Sequence, residues 1–417
     1  MAAVQQPALA APGVSKREDR TALSVMVTSH AVQHFYVAGL ALTYPLVVDT
    51  FHISYGVLGA VLAMAGLVGG LLQGAAGLMG RVSARLMLAF QNVGLGIACA
   101  AAAVVPGFAL FGAARCFGAL VSWPQHPVGS AYLSERFPQR RGAVLSWHTA
   151  GGSLGTVVVP LFTSAIIALA GWRWALVALA IPLAAGGLLV LAKLPPEHAA
   201  VIHQPARSNA AAEPTARSVW DVLRQRRVLL VLIASTVAAG GRGLGTVSTF
   251  VPAYLQSDLK LGQFAVGGVF TVVLAASVVG PIAAGYLADR VGRMRVTVLA
   301  YAGGAASLAS FVLVGANLAA LFGAGLALGM LAYAESPLLQ AVFADAATGA
   351  DQRTTFGFFF AIAYGVGALW LALLGWEIDV LGFQAAFFTM AGSFVVSGIL
   401  VALAARAPET ARASSDA

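Results

Sequence analysis

The residues of this sequence best suited to chemistry are ionisable side chains inside long apolar runs. Glu335 is the only acid in the middle of such a run, because Asp49, Glu377 and Asp379 come near the ends of theirs. A charge at the bilayer centre costs about 2.5–3.5 kcal/mol on insertion scales, so it should face a water-filled cavity, be paired or be protonated. A protonatable carboxyl at this depth would suit the carriage of protons. A structural ion pair is the alternative.

Two arginines also fall within apolar runs. Arg242 is followed by Thr246 and Thr249 at spacings that place all three on one helical face. A guanidinium binds carboxylates in a bidentate manner, so Arg242 would suit an anionic substrate. Equally, it could neutralise Glu335, and the pair would then be a coupling switch. Arg115 lies nearer the end of its run, where a structural role and a coupling role are both open.

Histidines occur in three of the runs. His30 and His34 are one helical turn apart, and imidazole titrates near physiological pH, so both suit proton handling or substrate contact. The pair would also suit a metal ion, but no third ligand is apparent and no metal site is predicted. Gln125 and His126 lie between two prolines that should break their helix and free backbone carbonyls beside a cavity. His148 is expected to be a packing residue.

The elements that must position these groups are membrane spans. Of the 417 residues, 59% are hydrophobic and 10% are charged, a balance that would leave a soluble domain with an apolar surface. Twelve runs of about 20 residues or more predict an all-α membrane protein with twelve transmembrane helices. Six helices are expected in 22–192 and six in 228–405. A polar linker covers 193–227, and polar tails cover 1–21 and 406–417.

The distribution of basic residues predicts the topology. If both termini lie on one side, all but four of the 24 Lys and Arg residues fall in segments on that side. The excess predicts a multi-pass protein of the cell inner membrane with both termini in the cytoplasm. Because the net charge of +8 sits in these short loops, it does not indicate a nucleic-acid partner. The lipid bilayer is the expected environment, and a monomer is the expected state.

The two halves carry matching motifs in the same order. Residues 78–82 correspond to 287–291, and the Pro-containing segment 123–127 corresponds to 333–337. Two parallel six-helix repeats joined by a linker are a transporter architecture. A helix disruption at the same place in both halves is the best pointer in the sequence to a binding site.

Motifs for energy-yielding or covalent chemistry are missing from the sequence. None of the lysines follows a glycine, so there is no Walker A loop, and neither His-Glu-x-x-His nor Gly-x-Ser-x-Gly occurs. The chain is therefore not predicted to be an enzyme, and no cofactor is expected.

A charged turn at 285–295 reads Gly-Tyr-Leu-Ala-Asp-Arg-Val-Gly-Arg-Met-Arg. It resembles the loop motif G-x-L-A-D-R-x-G-R of the major facilitator superfamily, and the twelve runs and the repeat extend that resemblance over the whole chain. The resemblance implies a secondary transporter in which two halves rock to give alternating access. It also implies a substrate and proton cavity lined by the first, fourth, seventh and tenth helices. Its residues here would be His30, His34, Gln125, His126, Arg242 and Glu335.

The charged turn also has a mechanical interpretation, as a latch that closes the cytoplasmic side in the outward-open state. Asp289 is expected to cap the N-terminus of the fifth helix. Arg290 would pair with Asp345, and Arg81 would pair with Glu135 in the first-half copy. The predicted latch residues are Asp289, Arg290, Arg293, Arg81, Glu135 and Asp345.

Shorter motifs resemble the fosmidomycin-resistance group of efflux proteins. They are Ser29-His30 with His34, His126-Pro127, and the glycine-rich segment 151–155. The resemblance implies proton-coupled efflux of a small organic molecule. His34 and Val128 stand where that group tends to have acids, which leaves substrate and coupling open. The alternatives are a proton-coupled importer of an organic anion, favoured by Arg242, and a transporter-like receptor without transport.

Overall fold

The computed structural model describes residues 16–75, 82–196, 219–347 and 352–407. Throughout these ranges the ordered elements are helices. Ten of the helices are long and apolar enough to cross a membrane, and an eleventh span is a pair of helices bent by 44°. The all-α membrane fold predicted from hydropathy is confirmed.

We number the helices one to twelve after the predicted spans, of which the fourth is not among the eleven long apolar spans of the described residues. In the first half they are Lys16–Ala41 with Tyr44–Phe51, Tyr55–Ala75, Ala84–Val104, Phe108–Val121 with Gln125–Arg136, Arg141–Ala170 and Trp172–Lys193. After a short helix at Val219–Leu223, the second half contains Arg226–Ala238 continued by Gly243–Val247, Ser248–Ala253 and Tyr254–Asp258, then Gln263–Val291, Arg293–Leu313, Leu318–Ala332 with Glu335–Ala346, Gln352–Phe360 continued to Leu369–Leu381, and Phe383–Arg406.

The fourth and tenth spans are each broken, as the paired motifs predict. The fourth stops at Val121 and resumes at Gln125, and the tenth stops at Ala332 and resumes at Glu335. In both spans a proline is the third residue of the new helix, where the N–H groups have no intrahelical partner. The halves of the fourth span have 14 and 12 residues. At 1.5 Å per residue, neither half alone crosses a hydrocarbon core of about 30 Å.

The seventh span contains a break that was not predicted from the sequence. Arg242 is extended, with φ −63° and ψ 130°, and Gly245 is also non-helical. Hydroxyl groups bind carbonyls around the break: Thr246 donates to Gly240 over 2.8 Å, and Thr249 donates to Gly245 over 2.8 Å. Although the helix is interrupted, Arg242, Thr246 and Thr249 all face the space between the two halves.

The two halves meet along two pairs of spans, the second against the eleventh and the fifth against the eighth. We call the end of the bundle that holds Lys16 and Arg406 the terminal end and the opposite end the distal end. Toward the distal end the approach is close, because a Cβ on Gly59 would collide with the backbone of Leu371. At the terminal end, Tyr286 of the eighth span is 69% exposed and Trp147 of the fifth span is 64% exposed.

Candidate functional site

The second half holds a buried ion pair at the two helix breaks. Arg242 Nε donates to Glu335 Oε1 over 3.0 Å. Glu335 is fully buried and Arg242 is 5% exposed. Glu335 is the first residue of the resumed helix of the tenth span, where the helix dipole favours a negative charge. The structure therefore favours neutralisation of Glu335 among the two roles considered for Arg242.

The remaining nitrogens of the Arg242 guanidinium are also engaged. Nη1 donates to the carbonyl of Ala363 over 2.7 Å, and Nη2 donates to the carbonyl of Ser235 over 2.8 Å. The guanidinium carbon lies 4.5 Å from the ring centroid of Tyr364, a cation–π distance. Since every nitrogen has a protein acceptor, Arg242 has no free bidentate face for a substrate in this conformation.

The first half holds a cluster of four histidines. The ring of His30 lies 4.8 Å from that of His34, 5.0 Å from that of His126 and 4.2 Å from that of His148, measured between centroids. His30 and His34 are joined by a contact of 3.1 Å between their Nε2 atoms. His148, expected to be a packing residue, lies inside the cluster. Only tertiary packing of the fifth span could have shown this.

Amide side chains support the histidine cluster from one side. Gln125 donates from Nε2 to His148 Nε2 over 3.1 Å, and its Oε1 accepts from Gln91 over 3.0 Å. Asn92 in turn donates to Ser29 over 2.8 Å. The third-span residues Gln91 and Asn92 were not predicted. Two adjacent amides inside an apolar run were the signal that could have found them, since buried amides need partners.

A cavity of about 310 Å³ lies between the halves. Arg242 lines it together with Arg115, Tyr36, Thr246 and Tyr364. Of the six predicted cavity residues, only Arg242 is among the described residues that line this cavity. The structure thus separates the predicted site into a histidine cluster in the first half and an ion pair in the second.

Arg115 presents a cation to this cavity. Its Nη1 donates to the hydroxyl of Tyr36, and its guanidinium carbon lies 5.1 Å from the ring centroid of Tyr36. Its Nε is buried and has no hydrogen-bond partner among the described residues. Arg115 is thus a half-buried guanidinium beside the cavity that no acid among the described residues neutralises.

The predicted latch takes a different form at the terminal end. Asp345 pairs with Arg293 over 2.7 Å, not with Arg290, and both partners are nearly half exposed. Gly292 has a φ of +105° and lets Arg293 begin the ninth span beside Asp345. Within the described ranges, Asp289 and Arg290 are exposed and make no hydrogen bond or ion pair. The predicted Arg81–Glu135 pair involves a residue, Arg81, that lies outside those ranges.

A different acid joins the halves at the distal end. Asp379 of the eleventh span accepts hydrogen bonds from the backbone N–H groups of Tyr55 over 2.9 Å and Gly56 over 2.7 Å. The Tyr55 hydroxyl also contacts the Ser257 hydroxyl at 2.7 Å. Asp379 therefore caps the N-terminus of the second span, the kind of contact that was predicted for Asp289 at the other end.

Two similar bundles with paired helix breaks and a cavity between them are the construction of a secondary membrane transporter. The sequence matches the model of the Major Facilitator Superfamily over residues 26–370 and 243–417. The chain belongs to that superfamily, whose members move small molecules across membranes. It is a multi-pass membrane protein and not an enzyme.

Individual relatives are distant. The cis,cis-muconate transport protein of Acinetobacter baylyi is 26% identical over 209 residues, covering 49% of each chain. An MFS-type transporter of Gibberella moniliformis is 27% identical over 165 residues, 39% of this chain and 37% of its own. The matches therefore span half or less of the length of these relatives.

Solved structures share the fold over almost the whole chain. The nucleoside transporter NupG has a TM-score of 0.71 at 16% identity, covering 92% of this chain and 99% of its own. A bacterial homologue of the human lysosomal transporter Spinster has a TM-score of 0.68 at 13% identity, covering 94% and 96%.

Proposed function

We propose that the chain is a proton-coupled transporter of a small organic anion, working by alternating access in the cell inner membrane with both termini cytoplasmic. The observation that supports the substrate class is the charge of the central cavity. Among the described residues that line it there are two arginines, Arg115 and Arg242, and no acid. Carboxylates are natural partners for a guanidinium in a site shielded from water.

The two arginines have different roles in this proposal. Arg242 is neutralised by Glu335, whereas Arg115 is paired with a neutral phenol and with no acid among the described residues. Arg115 therefore attracts the anion first. The cis,cis-muconate transport protein, similar over half of this chain, carries a molecule with carboxylate groups, which agrees with this substrate class.

Coupling between proton and anion follows from competition between Glu335 and the substrate for Arg242. When Glu335 takes up a proton it loses its charge, and its hold on the Arg242 guanidinium weakens. Because Arg242 lines the cavity, a substrate carboxylate can then replace Glu335 as its partner. Loss of the proton restores the buried pair and expels the anion. Proton and anion thus bind together, and each favours the other.

Export is the direction predicted from the sequence, and import of an organic anion is the alternative. A proton and an anion that bind together cross in the same direction, so this coupling favours import when protons flow inward. Proteoliposomes loaded with radiolabelled muconate and given a pH gradient of either sign will measure both. The proposal expects flux that is driven by the gradient, with Glu335→Gln removing the dependence on the gradient. Binding without flux would identify a transporter-like receptor instead.

The substrate class is tested by Arg115→Gln. We expect its KM for the anion to rise at least tenfold, because the free cation in the cavity is lost, with Arg115→Lys intermediate. Arg406→Gln removes an exposed arginine from the terminal end and is the matched control. If Arg115→Gln transports anions with an unchanged KM, the anion-binding role of Arg115 is wrong.

A further inference from the structure

Three histidines of the first half place ring nitrogens around one point. For His30, His34 and His126, the nitrogens that could act as ligands all lie within 4.8 Å of one another. His30 is buried, His34 is partly buried and His126 is exposed. In the sequence the first two lie one helical turn apart, and no third ligand is apparent there. The helix break in the fourth span brings His126 to them.

Hydrogen bonds fix which nitrogens of two rings carry lone pairs. His30 Nδ1 lies 2.7 Å from the carbonyl oxygen of His148, which can only accept, so Nδ1 carries the hydrogen. The Thr156 hydroxyl donates to the Gly152 carbonyl over 2.9 Å, so its oxygen accepts from His34 Nδ1 over 2.6 Å. In the neutral rings, both Nε2 atoms are therefore unprotonated.

These two Nε2 atoms face each other across 3.1 Å. Two lone pairs at that separation repel unless a proton or a metal cation lies between them. Zn²⁺ bound by imidazole has Zn–N distances of about 2.0–2.1 Å, which in a tetrahedron separates the nitrogens by about 3.3 Å. The observed distance is close to that spacing. A small shift of His126 would place a third nitrogen at another corner of the coordination tetrahedron.

We propose that His30, His34 and His126 form a binding site for a divalent transition-metal ion of the Zn²⁺ class. The donor set is imidazole alone, which suits Zn²⁺, Ni²⁺ or Cu²⁺ and not Mg²⁺ or Ca²⁺. The Nδ1–H groups of His30 and His34 are held by a carbonyl and a hydroxyl, the usual support of metal-binding histidines. The fourth position, beside exposed His126, is open to water or a ligand.

The fourth histidine is not part of this site. His148 Nε2 accepts from the Gln125 amide, so its lone pair is already used. The three ligands belong to the first and fourth spans, both in the first half, so the site does not depend on contacts between the halves or on the function proposed above.

The test uses the purified full-length chain carrying an affinity tag without histidines. Zn²⁺ is titrated against a chromophoric chelator, and Co²⁺ is added separately to record its visible absorption. We expect one equivalent to bind, at least 100-fold more weakly in His126→Gln. Thr156→Val should weaken binding about 10- to 100-fold, because it removes the support of His34. His52→Asn, which removes a histidine outside the cluster, is the matched control and should bind as the parent does.

His126 is the decisive position because its change should not disturb folding. It is exposed and makes no hydrogen bond among the described residues, and thermal unfolding will confirm that His126→Gln is intact. The inference is overturned if no saturable Zn²⁺ binding is found, which would leave a proton between His30 and His34. It is also overturned if His126→Gln binds Zn²⁺ as tightly as the parent or keeps the Co²⁺ spectrum. Loss of tight Zn²⁺ binding and of the Co²⁺ spectrum in His126→Gln, with both retained in His52→Asn, supports the inference.

Discussion

The contact of Asp379 with the second span predicts how closure of the distal end is controlled. Asp379 belongs to the eleventh span. It accepts hydrogen bonds from the N–H groups of Tyr55 and Gly56, which are the first residues of a helix in the other half. These N–H groups have no partner within their own helix. Opening the distal end must therefore break both hydrogen bonds and separate the carboxylate from the positive end of a helix dipole.

The size of this effect follows from the geometry and the exposure of the side chain. Capping a helix N-terminus contributes about 0.5–2 kcal/mol, and a charge at that position contributes about 0.3–1 kcal/mol when exposed. Because Asp379 is exposed, we expect its cap to stabilise the distal-closed state by about 1 kcal/mol. Asp379→Ala should then shift the balance toward the distal-open state about fivefold. A distal-open state populated at about 2% would rise to about 10%.

Distances between spin labels on the two halves can measure this population. Labels at Leu110 and Leu318, near the distal ends of the fourth and tenth spans, would be placed in a variant without the native cysteines. Asp258→Ala removes another exposed acid at the same end and is the matched control, since among the described residues it makes no hydrogen bond across the halves. If Asp379→Ala changes the distal-open fraction no more than Asp258→Ala does, the Asp379 cap does not control closure of the distal end.

The remaining predictions concern the second half. Arg242→Gln leaves a buried acid without its partner and should lower the free energy of unfolding by about 3–5 kcal/mol, measured by thermal unfolding. The double variant with Glu335→Gln should recover most of that loss. It should still lack pH-dependent transport, measured as flux in proteoliposomes. Asp289→Asn should slow turnover more than it weakens substrate binding. Asp345→Asn should change the free energy of unfolding by less than about 1 kcal/mol, because the partner of Asp345 is a surface arginine. Normal turnover with weakened binding in Asp289→Asn would contradict the latch.

The features that were predictable from the sequence depend on local chemistry. Apolar runs must be helical in a bilayer, because only a helix or a closed barrel satisfies every backbone group there. The breaks of the fourth and tenth spans were predictable because Pro127 and Pro337 each remove a backbone donor within a polar segment, whereas Pro160 and Pro281 lie inside unbroken helices. The seventh-span break has no proline at Arg242–Gly245. Its extended backbone is stabilised by hydroxyls and by a guanidinium whose partners come from the seventh, tenth and eleventh spans.

The choice of partners was the least predictable feature. Asp345 had two arginines within reach, and only the backbone at Gly292, with its positive φ, brings Arg293 to it. The same holds for Asp379, whose sequence position near a span end says nothing of which helix it will cap. His148 is another example, because its place beside His30 results from packing between the first and fifth spans.

The two broken spans show how one repeated backbone serves two kinds of chemistry. Gln125 and Glu335 are each the first residue of the resumed helix, at matching positions of the repeat, and both are fully buried. In the first half the neutral amide holds a network of histidines, and in the second half the acid holds a guanidinium. Since a neutral side chain at this position cannot release a charge on protonation, the switch that frees an arginine can exist only in the second half. The free cation of the cavity, Arg115, comes from the first half, so an anion held by both arginines would draw the two halves together.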